Sequence, residues 1–178
     1  MVATPTLQTE RLLLRPIVIE DAPAIQRQLS HENVVRYLAS VPWPYPEDGA
    51  EQYLREILLP AVAADEQLSW AITLKELGTE LIGAIDYLHE ATHTGNRGFW
   101  LAEEFWGRGL MTEAVAAVEG YIFGELAVTS MIVTNAQANT ASSRLKHRIG
   151  ARLIEVRDDS YATGTYPTEV WEITAPEN

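Results

Sequence analysis

Between Phe99 and Ala114 the chain reads FWLAEEFWGRGLMTEA, and this stretch limits the fold more than any other. An aromatic, apolar run meets two glycines around Arg108, and Leu110, Ala114, Val118 and Ile122 then recur at every fourth position. That pattern predicts a strand that turns through glycine into an amphipathic helix. Gly107 and Gly109 let the backbone turn with its N–H groups outward and no side chain in the way, and the helix start adds positive potential. An anion such as a diphosphate fits there. A purely structural turn has the same pattern. Two better-defined phosphate motifs are absent. A dinucleotide fingerprint needs a third glycine where Thr112 stands, and a Walker loop needs Lys-Ser or Lys-Thr after Gly83, where Ala84 follows.

The rest of the chain frames this turn. Glu10 to Val18 reads as a strand, followed by a helix with Glu20 and Asp21 at its start and Ala22, Ile25 and Leu29 on one face. A short helix is expected over Glu32 to Leu38. Three prolines in Val41 to Pro46 forbid a helix there and shape a loop that carries Trp43 and Tyr45, before a helix over Glu47 to Ala64. The runs LSWAITLK and LIGAIDYLHE, separated by Glu76 to Glu80, predict an antiparallel hairpin, with a further strand over Asn96 to Glu103. Ser130 to Thr134, Arg152 to Val156 and Val170 to Thr174 read as strands and Ala141 to Ile149 as a helix. Strands interleaved with helices but joined by hairpins imply a mixed sheet with helices on both faces.

Composition removes several function classes. With 178 residues and 47% apolar content the chain suits one domain over residues 1–178. The longest apolar stretch, Leu110 to Leu126, is interrupted by Glu113, Glu119 and Glu125, so no membrane span is expected. Without a secretory leader pattern at Met1 to Leu14, a cytoplasmic location follows by default. No cysteine is present for disulfides, thiolate metal sites or a thiol nucleophile. The net charge of −12 argues against nucleic acid as a partner. The charge is uneven: residues 47–104 hold twelve acids against Arg55, Lys75 and Arg97, whereas Arg144, Lys146, Arg148, Arg152 and Arg157 oppose Glu155 alone within 144–157. This suits either a cation-tolerant middle and an anion-facing C-terminal segment or ordinary solvated faces.

Three ordered motifs together resemble the GCN5-related N-acetyltransferase superfamily, in particular its ribosomal-protein alanine N-acetyltransferase branch. LQTERLLLRPIVIEDAPAI is similar to that branch's opening, with its core at Thr9 to Pro16. FWLAEEFWGRGLMTEA is similar to its acetyl-CoA loop, and Asn139, Ser142 and Arg144 followed by Ile149-Gly150 match its Asn-x-x-Ser-x-Arg and terminal glycine. The resemblance covers roughly residues 7–174. It implies an α/β (α+β) fold, with a mostly antiparallel sheet of six to seven strands, a central splay and helices on both faces. The strand ending near Leu101 to Glu103 should part from Thr129 to Thr134, with the pantetheine arm of acetyl-CoA between them.

The resemblance also implies roles. The cofactor-binding set is Leu101, Ala102, Glu103, Trp106, Gly107, Arg108, Gly109, Leu110, Met111 and Thr112, with Asn139 and Ser142 facing the arm and the sulfur. An amide near Leu101 or Ala102 would stabilise the oxyanion, Glu103 would act as base with Glu104 as rival, and Ser142 would give the sulfur its proton. Trp43 and Tyr45 wall the acceptor pocket or plug the core. Three positions depart from the family pattern. Glu104 replaces Gln or Arg before the first glycine, Ala151 replaces an aromatic, and Lys146 stands where many relatives carry a tyrosine acid. The expected activity is acetyl transfer from acetyl-CoA, without a metal, to a primary amine on a protein N-terminus or a small cationic molecule. A non-catalytic acyl-CoA-binding module is the alternative, and oligomeric state is open, a homodimer included. His89-Glu90-Ala91-Thr92-His93 has the spacing of a zinc peptidase helix but sits among strand and turn signals, so a hairpin is expected.

Overall fold

The computed structural model describes residues 3–176. Eight strands form one sheet: β1 (Leu7–Gln8), β2 (Leu12–Pro16), β3 (Gln67–Leu74), β4 (Leu81–Thr92), β5 (Gly95–Leu101), β6 (Ser130–Ala136), β7 (Arg152–Tyr161) and β8 (Gly164–Thr174). They lie in the order β1-β2-β3-β4-β5-β6-β8-β7. All neighbours are antiparallel except β5 and β6, which run parallel. The strand count exceeds the expected six to seven by the short β1, which returns onto β2 through a turn closed by Thr9 N–H on the Leu12 carbonyl. Strands β7 and β8 also run past their expected segments, because Tyr161 and Gly164 close a hairpin.

Side-chain alternation along the strands makes two cores. On one face Trp70, Ile72, Ile85, Tyr87 and Trp171 pack under α5 (Leu110–Gly124) and α6 (Thr140–Arg148). On the other, Ala71, Ala84 and Trp100 meet α1 (Ala22–Leu29), α2 (Glu32–Val35), α3 (Gly49–Tyr53) and α4 (Leu59–Ala63). Between α3 and α4, Leu54–Leu58 widens into a π turn, in which Leu59 N–H reaches back to the Leu54 carbonyl. Pro60 follows at once. Its ring would press on the carbonyl four residues earlier in a regular helix, and the wider turn relieves that contact.

The parallel pair is where the sheet opens. Val133 is the β6 partner of both Gly95 and Arg97, and past that point the two strands are not paired. The gap therefore lies between Phe99–Leu101 and Asn135–Ala136. This is one register step beyond the expected position, because Thr134 is still tied to β5's start through its hydroxyl on the Thr94 carbonyl. Gly95 makes the contact possible. Its φ is 86°, and a Cβ there would lie 2.4 Å from the Ile132 carbonyl oxygen. Gly95→Ala should cost at least about 2 kcal/mol, from left-handed backbone strain and backbone overlap. Urea unfolding measures this; an unchanged midpoint would contradict the pairing.

Candidate active site

The glycine turn is built as its residues demand. After a 3-10 turn over Glu103–Phe105, Gly107 and Gly109 take φ of 73° and 76°, and a Cβ on Gly107 would meet nothing within 4 Å. Gly109 is the N-cap of α5 and offers no side chain to the helix start. The helical ladder begins with Glu113 N–H on the Gly109 carbonyl, so the amides of Leu110, Met111 and Thr112 precede it. Donors, positive end potential and an absence of side chains coincide. This cradle fits a diphosphate. A cleft beside Leu110 is lined by Arg11, Lys75 and Arg108 together with Glu10 and Glu76. The Arg108 guanidinium is folded back, donating to the Glu104 carbonyl at 2.8 Å.

A latch from the other end of the chain holds the turn. Glu113 accepts hydrogen bonds from the Thr9 hydroxyl (2.5 Å), the Arg11 amide (2.8 Å) and the Arg11 guanidinium (2.7 Å), while Arg11 also donates to the Arg108 carbonyl (2.9 Å). Burial pushes the Glu113 carboxyl up, but these bonds outweigh it and hold the group below its ordinary value of 4.5. A lowered carboxyl pKa stabilises the fold above the unfolded value, and that contribution disappears as pH falls through the folded one. The stability advantage of wild type over Glu113→Gln in urea should therefore shrink as pH falls below about 4.5. A pH-independent difference would exclude the ionised latch.

Trp106 ties the turn to the gap: its indole N–H donates to the Leu101 carbonyl at 2.7 Å. The indole is thus a tether between the turn and the strand end. Along β5, Ala102 N–H is spent on the Ile82 carbonyl. Antiparallel alternation then turns the N–H groups of Leu101 and Phe99 away from β4, toward the gap. Of the two amides nominated for an oxyanion, only Leu101's is available. Trp106→Phe deletes the tether and keeps the ring, and should weaken CoA binding about fivefold, the equivalent of roughly 1 kcal/mol. Calorimetry decides this, and unaltered affinity would remove the tether's role.

Across the gap, α6 supplies the second set. Asn139 caps the helix, its Oδ1 accepting from Ser142 N–H at 3.2 Å. The Ser142 hydroxyl is buried and accepts from Lys146 Nζ at 2.9 Å. Lys146 is 1% exposed, and Nζ donates also to Asn135 Oδ1 (2.7 Å) and to the Thr134 carbonyl (3.2 Å). Burial first, and then the charge of Arg97, hold this ammonium well below lysine's usual range, against the pull of Glu169. Arg97 is itself buried and paired with Glu119, and its Nε and Nη2 take no partner among the described residues. Sequence reading noticed Lys146 as a missing tyrosine and as one of the basic residues of 144–157, not as a buried group. A charge near the end of a nine-residue helix gives no sign of burial until the helix is docked.

The opposite face holds the aromatic and acidic groups. Trp43 and Tyr45 are half-buried against the core under α1 and α3, so each covers apolar surface while keeping an exposed edge. Glu103 is exposed, and both its carboxylate oxygens accept from Asn33 Nδ2 at 3.1 Å. Glu104 is exposed too and contributes its carbonyl to Arg108. The loop after α2 is tied to the β7–β8 hairpin, with Ala162 N–H on the Leu38 carbonyl and the Thr163 hydroxyl on the Arg36 carbonyl. Asp86 on β4, which sequence reading passed over, also points to this face. The His89 to His93 segment is extended over β4 and its turn. Four residues of strand span about 13 Å, so its two imidazoles lack the one-face geometry of a helix.

Residues 11–152 match the family model of the acetyltransferase (GNAT) domain. The uncharacterized N-acetyltransferase YoaA of Bacillus subtilis strain 168 is 30% identical over 178 residues, covering 97% of this chain and 98% of its own. Two solved structures are similar in fold. RimJ of Mycobacterium smegmatis in complex with CoA-disulfide has a TM-score of 0.79 at 19% identity, over 97% of this chain and 88% of that one. RimL, a ribosomal L7/L12 alpha-N-protein acetyltransferase in complex with coenzyme A, has a TM-score of 0.79 at 15% identity, over 96% and 98%.

Proposed function

Since the chain belongs to the GNAT acetyltransferase family and is an acyltransferase, we propose that it transfers the acetyl group of acetyl-CoA directly to a primary amine, borne by a protein N-terminus or a small cationic molecule. The observation that carries this reading is the presence of two features along one strand end: the glycine turn and helix start at Gly107 to Thr112 and the gap beside β5 that begins after Val133. A phosphate-bearing extended arm fits both, pairing with outward backbone groups as an added strand does.

In this reading the diphosphate rests on the amides of Gly107 to Thr112, with Arg108 free to swing toward it. The Leu101 N–H steadies charge on the carbonyl oxygen as the amine attacks. Asn139 and Ser142 face the arm, and the Ser142 hydroxyl, backed by Lys146, passes a proton to the departing sulfur. Glu103, open to solvent and steadied by Asn33, carries the amine's proton away directly or through water. Trp43 and Tyr45 wall the acceptor side. The large surplus of acids between residues 47 and 104 supports a cationic acceptor.

Thiol release from acetyl-CoA, followed against a panel of peptides with free N-termini and of small amines, tests the proposal. Release should require an amine. Glu103→Gln should lower turnover roughly tenfold or more while leaving CoA affinity nearly unchanged. CoA binding without transfer to any amine would support instead a non-catalytic acyl-CoA-binding module, and unchanged turnover in Glu103→Gln would remove that residue's role.

A further inference from the structure

Several acids on the structured elements are paired with a cation of the chain. Asp21 has Arg15, Glu119 has Arg97 and Glu113 has Arg11. Asp86 does not follow this pattern. It sits in the middle of the sheet, between Ser69 of β3 and Gly98 of β5 in register, and no cation pairs with it among the described residues. The Ser69 hydroxyl donates to its Oδ1. The side chain is half-buried, and a carboxylate without a cation there is costly unless something else supplies the counter-charge.

The surroundings show what could supply it. Gly98 is exposed, and a Cβ there would meet nothing within 4 Å, so β5 is bare beside Asp86. Gly98 belongs to the strand whose far edge borders the gap, one residue before the outward amide of Phe99. The titratable group facing Asp86 from the helices is Tyr53, with Tyr45 beyond it; β3 and β5 offer Ser69 and Gly98, which do not titrate. A phenol facing a carboxylate that no cation of the chain pairs suits an organic cation. Burial raises the carboxyl to about 6, against the opposing Ser69 bond, so it is ionised at neutral pH yet basic enough to take a proton.

We propose that Asp86 is the acceptor-ammonium site: an unbranched alkylammonium approaches from the α1–α4 face, lies over Gly98 against Asp86, and gives its first proton to that carboxylate. This rests on the acetyl-transfer reading for its chemistry but not for its binding. The ammonium carries three protons and the amide product keeps one. The first passes to Asp86 and on to solvent by way of Glu103. The freed nitrogen pair forms the C–N bond, the C–S bond breaks with its electrons on sulfur, and the second proton ends on that sulfur as the thiol. No oxidant or further reactant is required.

The test uses the whole protein and n-butylammonium chloride. NMR of the labelled aspartate carboxyls should show Asp86 titrating near 6, and butylammonium, but not n-butanol, should shift its resonance and lower its pKa. Gly98→Leu should abolish that shift while CoA still binds in calorimetry. With n-butylamine as acceptor, Asp86→Asn should lower kcat/KM by about 100-fold or more at unchanged CoA affinity. The acid limb of kcat/KM should then move from near 6 to the amine's own range, about 10. Ser69→Ala should move the limb upward, since it removes the bond that favours the ionised carboxylate. A carboxyl raised by burial destabilises the fold once ionised, so Asp86→Asn should also raise the thermal midpoint at pH 8. Butylammonium leaving Asp86 unmoved, a shift that survives Gly98→Leu, or wild-type kcat/KM in Asp86→Asn would each overturn the proposal. Butylammonium binding at Asp86 without acetylation of any amine would instead sink the transfer reading and leave the cation site standing.

Discussion

One pairing, the parallel contact of β5 with β6 at Val133, sets the terms for the rest of the molecule. Every other neighbour in the sheet is antiparallel and can be closed by short turns, while a parallel neighbour requires a crossover, here α5. Because the contact is confined to Gly95, Arg97 and Val133, the strands separate beyond it and leave backbone groups on both edges without sheet partners. Such edges are normally blunted or covered. Here they are kept apart by tethers at each rim: Trp106 on the Leu101 carbonyl, and Lys146 on the Thr134 carbonyl.

The two faces of the opened sheet differ in electrostatics. Beneath α5 and α6 lie Arg97, paired with Glu119, and the buried Lys146 amine, whose charged form burial and Arg97 disfavour. The charge of Arg97 disfavours a second cation beside it. The α1–α4 face carries Asp86 and Glu103, with phenols and indoles around them. An anionic arm entering from the first side and an ammonium from the second each meet complementary charge, and the net charge of −12 reports neither fact.

Much of this was legible in the chain. The period-four apolar residues of α5, the alternating runs of β3 and β4, and the glycines of the turn each determine local backbone by short-range sterics and by burial of one stripe or face, so their reading transferred directly to the structure. The three motifs separated by long stretches of chain were legible as a group, and the structure shows why the first two travel together: Thr9 and Arg11 close on Glu113. Less legible were the lengths of β7 and β8, whose outer halves are exposed and carry little hydrophobic pattern, and the π turn before Pro60.

The sequence by itself determined the elements, the glycine turn and the sidedness of each strand, because these follow from dihedral preferences and side-chain alternation within a few residues. Only the tertiary structure decided that Ala102's amide is spent and Leu101's is not, that Lys146 is buried, and that Asp86 lies unneutralised beside Gly98. Those are properties of register and of docking between segments far apart in the chain. A charge or an amide acquires its role from what is excluded around it, and that exclusion exists only once the sheet is assembled.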